Sequence, residues 1–578
     1  MSQSDNIQYG HTQFNHSQFN HKKYRPFPAI NKTDRRWPSE TIKTAPLWCA
    51  VDLRDGNQAL IEPMNVTQKQ GMWALLVKLG FKQIEIGFPS ASQPDFDFCR
   101  WLIEENQIPD DVSIQALTQA RGALIERTYE ALKGAKQAIV HVYNSTSPVQ
   151  RKKVFNVDKA GIVDIARNGA QLVLDHANQH PETKWSFEYS PESFSSTEID
   201  FSIEVCNAVI DVWQPTPENK AIFNLPATVE CSTPNVFADQ IETFCDQINA
   251  RDSILVSLHT HNDRGCGVAA AELGLMAGAD RIEGTLMGNG ERTGNMDIVT
   301  MAMNLYSQGI DPELDLSNAD EIVRVVSECT QIAAHPRHPW LGELVYTAFS
   351  GSHQDAIRKC LAQQPENEPW DVAYLPIDPR DLGRDYQSVI RVNSQSGKGG
   401  VAYILENDYG LQLPRWLQIE ASRKVQAHAE QESIEVSPEK IWEIVQQSFM
   451  TAEQGYKLGA YSVKREDENE AIKATLHDDA NDINIDGQGD GALSAFCQAL
   501  ERALSINLEI INYDQHAIGS GTDASAVGYV QVKINDERYC GISKDRDIIS
   551  ANLNAILACV NQARSSIKTD SVQEQRIA

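Results

Sequence analysis

Between Leu47 and Leu286 the chain repeats one pattern: a short run of β-branched and apolar residues, then a longer segment with an apolar face. The runs are LWCAVDL, KQIEIGF, VSIQALT, AIVHVYN, KWSFEYS, FNLPATVE, ILVSLHTH and RIEGTL. The segments between them have helical length and spacing, among them Thr67 to Leu79, Val157 to Gln179, Asn235 to Ile248 and Val268 to Ala277. Alternation of this kind predicts an α/β protein with a parallel sheet and right-handed crossovers. Eight such units in roughly 260 residues are the number that closes a (β/α)8 TIM barrel.

After about Ser317 the rhythm turns helical through ADEIVRVVSECTQIA. It then becomes Pro- and His-rich in HPRHPWLGELVYTAFSGSHQDAI and loop-like in PWDVAYLPIDPRDLGRDY. The charged, turn-rich KVQAHAEQESIEVSPEK marks a boundary near residue 430. Beyond it, YKLGAYSVKRED, EAIKATLH, LEIINYDQHAI and AVGYVQVKIN read as strands, and GALSAFCQALERAL and ISANLNAILACVNQAR as helices. That is a separate α+β domain, with a polar tail after Ser565 expected to fray. The expected division is a flexible N-terminal arm over 1–40, a catalytic barrel over 41–316, linker subdomains over 317–430 and a C-terminal regulatory domain over 431–578.

Composition narrows the function. A chain of 578 residues that is 41% hydrophobic and 22% charged is globular, and no run of about 18 apolar residues is present to span a membrane. The formal net charge of −28 repels phosphate backbones, which excludes a nucleic-acid partner and favours small-molecule chemistry. Eleven scattered cysteines without a C-x-x-C pair suggest neither zinc ribbon nor disulfide framework and fit a reducing cytoplasm. The polar N-terminus has no secretory pattern, and its His-rich HTQFNHSQFNH reads as part of the arm.

In a (β/α)8 barrel the active site lies at the C-terminal ends of the strands, so the polar residues there are the candidates. Strand 7 ends in HTHND, where His259 and His261 are two residues apart and share a face. Such a pair alone is more often a solvated strand end than a ligand pair. Strand 1 runs into DLRDGNQ, and Asp55 completes an oxygen and nitrogen donor set suited to Zn²⁺, Mn²⁺ or Mg²⁺ with positions left open for substrate. Arg54, beside it, is placed to hold a carboxylate or meet oxygen charge, or else to form a structural ion pair with its neighbour. The Gly-rich GNGERTGN after strand 8 lacks the Gly-Lys-Ser/Thr of a P-loop and brings Glu291 and Asn295 to the same mouth.

LRDGNQ, HTHNDRG and GNGERTGN together resemble the signatures of the 2-isopropylmalate synthase family, in its longer branch with a C-terminal regulatory domain. FEYSPE, PATVE, GSHQDAI, YLPIDP and NSQSGKGGVAY extend the likeness over about residues 40–420. Asp52 and Asn57 stand where many shorter relatives have Thr and Glu. The resemblance implies an acyltransferase that condenses acetyl-CoA with 3-methyl-2-oxobutanoate and hydrolyses the thioester, giving 2-isopropylmalate and CoA at the first committed step of leucine biosynthesis. It implies one divalent metal ion (Mg, Mn or Zn) on Asp55, His259 and His261 with Asn295 nearby, and a monovalent cation such as K as a further candidate. It gives the substrate Arg54, His141, Ser190 and Thr228, with Glu192 and Glu291 in the same pocket. His353 and Tyr374 are implied as base candidates that reach the site from a partner chain of a homodimer. Leucine is implied as feedback inhibitor, with the turn IGSGTDASAVGY (Ile518, Gly519, Gly521, Asp523, Ala524) as its candidate site; a plain hairpin in a dimerisation module is the alternative. Homocitrate or citramalate synthase, a retro-aldol lyase and a catalytically silent amino-acid sensor are the rival readings.

Overall fold

The computed structural model describes residues 21–384, 398–432, 436–450, 455–466, 469–478, 481–518 and 525–577. The chain forms two compact units, Met1–Val345 and Tyr346–Ala578. All eight predicted strands of the first unit are present: β1 (Leu47–Ala50), β2 (Gln83–Gly87), β3 (Ser113–Gln119), β4 (Gln137–Ser145), β5 (Lys184–Glu192), β6 (Ala221–Ala227), β7 (Ile254–Thr260) and β8 (Arg281–Gly284). They pair in parallel in sequence order, and β8 closes on β1 by pairing Leu47 with Arg281 and Ala50 with Gly284. The helices around them are α1 (Val66–Leu79), α2 (Gln93–Glu104), α3 (Gly122–Leu132), the single turn α4 (Pro148–Gln150), α5 (Lys159–Gln179), α6 (Ile199–Trp213), α7 (Pro234–Gln247), α8 (Gly267–Met276) and α9 (Ile298–Tyr306). A further helix, α10 (Ala319–Thr330), packs on α1 and is tied to it by Lys78–Glu321 at 2.5 Å, although its sequence lies in the expected linker.

The barrel departs from the apolar interior usual for this fold. Arg281 of β8 is fully buried and donates to Gln83 at 2.6 Å, Gln115 at 2.7 Å, Ser257 at 2.8 Å and Glu283 at 2.5 Å. Burial of a charge is tolerated only where it is paired and hydrogen-bonded, and this guanidinium meets both conditions. The end of the expected N-terminal arm is anchored. Lys32, 8% exposed, bonds Asp246 at 2.8 Å, Arg35 grips Asp239 of α7 at 2.7 Å through two nitrogens, and the Trp37 indole donates to the same Asp239.

The second unit begins with α11 (Gly351–Leu361), α12 (Lys398–Tyr409), α13 (Arg415–Glu432) and α14 (Pro438–Phe449). Two three-stranded antiparallel sheets follow, built from β9 (Lys457–Glu466), β10 (Asn469–Asp478) and β11 (Asn481–Gly489), then β12 (Leu508–Ile518), β13 (Ser525–Ile534) and β14 (Glu537–Asp545). The helices α15 (Ala492–Leu504) and α16 (Ile548–Ile577) pack on them. At Gly541 a Cβ would lie 2.0 Å from the Ala555 carbonyl oxygen, so only glycine lets α16 sit this close to β14. Helices α12–α14 share a core with Val527, Tyr529, Cys540 and Ile542, so the expected boundary at 430 falls inside a continuous apolar cluster. The tail expected to fray continues as the last turns of α16. All eleven cysteines are free, and among the described residues no helix is long and apolar enough to cross a membrane.

Candidate active site

At the mouth of the barrel β1 ends earlier than its sequence suggests. After Ala50 the chain enters a wide turn, Asp52–Gly56, in which the Val51 carbonyl accepts from the N–H groups of Arg54, Asp55 and Gly56 at 3.2, 2.9 and 3.1 Å. Widened turns of this type concentrate at functional sites because they re-aim consecutive side chains. Here they send Arg54 and Asp55 inward. The Arg54 Nε donates to Glu85 of β2, and its Nη1 donates to Asp55 Oδ1 at 2.8 Å. Asp52 lies beneath, its Oδ1 accepting from the Leu286 N–H at 2.9 Å.

The two histidines of strand 7 share a face, with ring centroids 5.2 Å apart. His259 Nε2 lies 3.2 Å from Asp55 Oδ2, and its Nδ1 donates to Glu283 at 2.8 Å. His261 Nε2 lies 3.7 Å from the same Asp55 oxygen, and His261 forms an isolated β-bridge with Asn295, which brings the strand-8 loop alongside. Asp55, His259 and His261 offer ligand atoms within 4.8 Å of one another, and all three are buried. His261 Nδ1 and Asn295 Oδ1 are buried without a hydrogen-bond partner, while the Asn295 amide is oriented by its bond to the Asn289 carbonyl at 3.0 Å. Orphaned donor atoms of this kind beside a carboxylate and an imidazole fit a divalent cation.

The electrostatics agree with that fit at Asp55 and His261, and at His259 a bound cation would take the place of the proton held by its two carboxylate partners. Burial alone would raise the Asp55 carboxyl, but Arg54, then the hydrogen bond and charge of His259, hold it well below the usual carboxylate range. Burial works against an imidazolium at His259 too, yet hydrogen bonds to Asp55 and Glu283 raise it to about 9. His261 is pushed down to about 4 by burial and by the charge on His259, which leaves a neutral imidazole, the form that ligates metals. Deeper, burial drives Glu188 up despite Arg281 beside it, while Arg281 and His259 hold Glu283 down against the same burial.

One pocket of about 330 Å³ gathers most of the barrel candidates: Arg54, Asp55, His141, Ser190, Glu192, Thr228, His259, His261 and Glu291 all line it. Phe88, Leu117 and Pro226 give it apolar walls. His141 donates from Nδ1 to Glu85 at 2.7 Å and faces Ser190 Oγ from Nε2 at 2.7 Å. The Ser193 N–H donates to Thr228 Oγ1 at 2.9 Å, which leaves the Thr228 hydroxyl hydrogen available to the pocket. Glu192 accepts from Ser145 Oγ. His353 and Tyr374 belong to the second unit, where their rings stack. Of the regulatory candidates, Ile518 ends β12, and Gly519, Gly521, Asp523 and Ala524 lie outside the described residues.

Sequence reading passed over Glu85, Asn224 and Glu283, which hold the candidates in place. Their signal was present: each is a polar or charged residue with apolar or glycine neighbours on both sides within a barrel strand, in QIEIG, AIFNLPA and RIEG. It also passed over a pocket of about 720 Å³ in the second unit, lined by Gly491, Leu493, Ile510, Ile511, Ile549 and Asn552 among others.

A protein of Pseudomonas savastanoi pv. phaseolicola called 2-isopropylmalate synthase is 57% identical over 544 residues, covering 94% of this chain and 97% of the relative. The chain belongs to the 2-isopropylmalate synthase family. A family member from Alcanivorax borkumensis is 55% identical over 545 residues, again covering 94% of this chain and 98% of its own. The HMGL-like family model matches residues 45–326, the alpha-isopropylmalate synthase post-catalytic domain-like model 343–406, and the LeuA allosteric (dimerisation) domain model 435–564. Among solved structures, a Bacillus subtilis HMG-CoA lyase aligns with a TM-score of 0.41 at 18% identity, covering 54% of this chain and 96% of its own.

Proposed function

We propose that the barrel mouth condenses acetyl-CoA with 3-methyl-2-oxobutanoate to 2-isopropylmalate, the reaction for which the family is named. The observation that carries this reading is the buried Asp55, His259 and His261 set with Arg54 hydrogen-bonded to Asp55, all four lining one pocket. Asp55, His259 and His261, with Asn295 beside them, would hold the divalent ion. Mg²⁺, Mn²⁺ and Zn²⁺ all suit this donor set, and the bound ion would polarise the keto carbonyl as a Lewis acid. The Thr228 hydroxyl, with Ser190 and His141, receives the substrate carboxylate. Phe88, Leu117 and Pro226 accommodate its isopropyl group. Arg54 faces the carbonyl oxygen and stabilises the negative charge that develops there.

The methyl group of acetyl-CoA gives up a proton, and its carbon forms the new C–C bond to the keto carbon, whose oxygen ends as a hydroxyl. Water then cleaves the thioester C–S bond, releasing CoA as thiol and leaving a carboxylate. We assign the proton removal to His353 and Tyr374, supplied across a homodimer. Glu192 and Glu291 are the carboxylates of the pocket that move protons during hydrolysis. The proposed division of labour is a catalytic barrel over 41–316 with α10 packed on it, linker subdomains up to about 430 whose last helices share a core with β13 and β14, and a regulatory domain over 431–578.

Leucine inhibition is assigned to the second pocket. The uncapped N-terminus of α15 at Gly491 presents backbone N–H groups that suit a carboxylate, Leu493, Ile510, Ile511 and Ile549 suit an aliphatic side chain, and the buried, unpartnered Asn552 Oδ1 suits an ammonium. The deciding experiment is release of free thiol from acetyl-CoA with a panel of 2-oxo acids, with and without chelator. Fastest chelator-sensitive release with 3-methyl-2-oxobutanoate is the expected result. Fastest release with pyruvate or 2-oxoglutarate would instead make the chain a citramalate or homocitrate synthase.

A further inference from the structure

The floor of the pocket is a closed circuit of hydrogen bonds. Arg54 Nε donates to Glu85 Oε2, and Glu85 Oε1 accepts from His141 Nδ1 at 2.7 Å. His141 Nε2 faces Ser190 Oγ at 2.7 Å. Asn224 Nδ2 then spans the gap, donating to Ser190 Oγ at 3.0 Å and to Glu283 Oε2 at 3.2 Å. Glu283 Oε2 also accepts from His259 Nδ1 at 2.8 Å, and His259 Nε2 meets Asp55 Oδ2 at 3.2 Å. The bond from Arg54 to Asp55 at 2.8 Å returns to the start.

Chemistry fixes the direction of these bonds. Glu283 receives Arg281 on one oxygen and His259 on the other, so it is an acceptor, and only the NH₂ end of Asn224 can face it. The two hydrogens of that one nitrogen go to opposite halves of the site: one to the Ser190–His141 pair, the other to the carboxylate that sets which nitrogen His259 presents to Asp55. A ligating histidine depends on the partner of its other nitrogen, and loss of such a partner lowers metal affinity about 10–100-fold.

We infer that Asn224 is a positioning residue that joins the cation-binding half of the pocket to the half that receives the substrate carboxylate, so that affinity for both depends on one amide. The inference rests on the proposed condensing activity for its substrate half and on geometry alone for its cation half. The test uses the full chain, stripped of metal, as wild type, Asn224→Ala, Asn224→Ser, Glu283→Gln and the Asn224→Ala/Glu283→Gln pair. Mn²⁺ alone is titrated and free ion is read by electron paramagnetic resonance, with melting temperatures measured in parallel. Asn224→Ala is expected to weaken Mn²⁺ binding by about 3–10-fold and, in the double variant, to add little to the loss from Glu283→Gln, because both act through His259.

In turnover, Asn224→Ala is expected to raise KM for the keto acid by about tenfold, with KM for acetyl-CoA within about twofold of wild type. Asn224→Ser, smaller in its perturbation, carries the test if Asn224→Ala melts early. Unchanged Mn²⁺ affinity in a folded Asn224 variant, or losses that simply add in the double variant, would overturn the bridge. A wild-type protein that binds Mn²⁺ yet turns over no keto acid would sink the proposed activity instead, and the Mn²⁺ titrations would still decide the role of Asn224.

Discussion

The imidazole of His353 stacks on the phenol of Tyr374 with ring centroids 4.0 Å apart and planes 23° from parallel. Tyr374 holds a positive φ of 67° and is 60% exposed, an unfavoured backbone state for a bulky residue that keeps its ring over His353. If the pair removes the methyl proton, His353→Ala lowers kcat by about 10²–10⁴. If it serves the other chain of a dimer, mixing His353→Ala with Arg54→Ala after exchange of subunits restores activity. Each mixed dimer then holds one site with both residues intact, so about a quarter of wild-type activity returns. Steady-state rates of the mixture against each variant alone check this; a mixture no faster than its parts rules out the shared site.

The eight strands were readable because alternation of apolar runs and amphipathic helices is a strong signal. The same reading missed β11 and β14. NDINIDGQG is rich in Asn, Asp and Gly, which strands avoid, and it is a strand because β10 pairs with it along its length while α15 covers it. ERYCGISKD carries Gly541 at its centre, a residue that weakens a strand locally and is required by the close approach of α16. At the mouth, the motif residues were visible from sequence, whereas the polar residues beneath them need the closed barrel to be brought together. Glu85 and Glu283 are far apart in the chain and meet only through β1, β2 and β8 being neighbours.

Removing the metal tests the donor set directly. Dialysis against a chelator is expected to abolish thiol release, with activity restored by Mg²⁺, Mn²⁺ or Zn²⁺. Asp55→Asn should lower divalent-ion affinity by at least about tenfold, because it removes the one negative ligand while keeping its shape. Calorimetric titration of the stripped protein measures it, and equal affinity in wild type and variant would remove Asp55 from the site.

Asp52 gives a pH-dependent prediction. Burial raises its carboxyl to about 8, against the lowering effect of its bonds from the Leu286 N–H and its own backbone. A raised acid stabilises the fold fully below its unfolded value near 3.8, and that contribution is lost as pH rises through the window up to about 8. Asp52→Asn keeps the acceptor for Leu286 and removes the titration. Its melting temperature relative to wild type should therefore climb between pH 5 and pH 8, by an amount equivalent to about 3–4 kcal/mol. A difference that stays flat over that range would show that Asp52 is ionised in the fold.

Inhibition should respond to the pocket at the start of α15. Gly491→Val crowds the backbone N–H groups there, and Ile549→Glu puts a charge among the apolar walls. Either is expected to raise the leucine concentration for half-inhibition by at least about tenfold, equivalent to about 1.4 kcal/mol of binding. Dose–response curves at fixed substrate provide the measurement, and wild-type sensitivity in both variants would move the inhibitor elsewhere.

The hydrogen-bonded interior around Arg281 has a consequence for anyone wishing to alter this catalyst. A greasy barrel core tolerates one-at-a-time swaps of similar volume, but here Arg281 saturates Gln83, Gln115, Ser257 and Glu283, so a single change among them leaves a stranded partner. Evolution toward other keto acids is therefore channelled to the walls, at Phe88, Leu117 and Pro226, where size can drift without orphaning anything below. Changes in the floor reach the cation and the substrate carboxylate at once, whereas changes in the walls reach the substrate side chain alone.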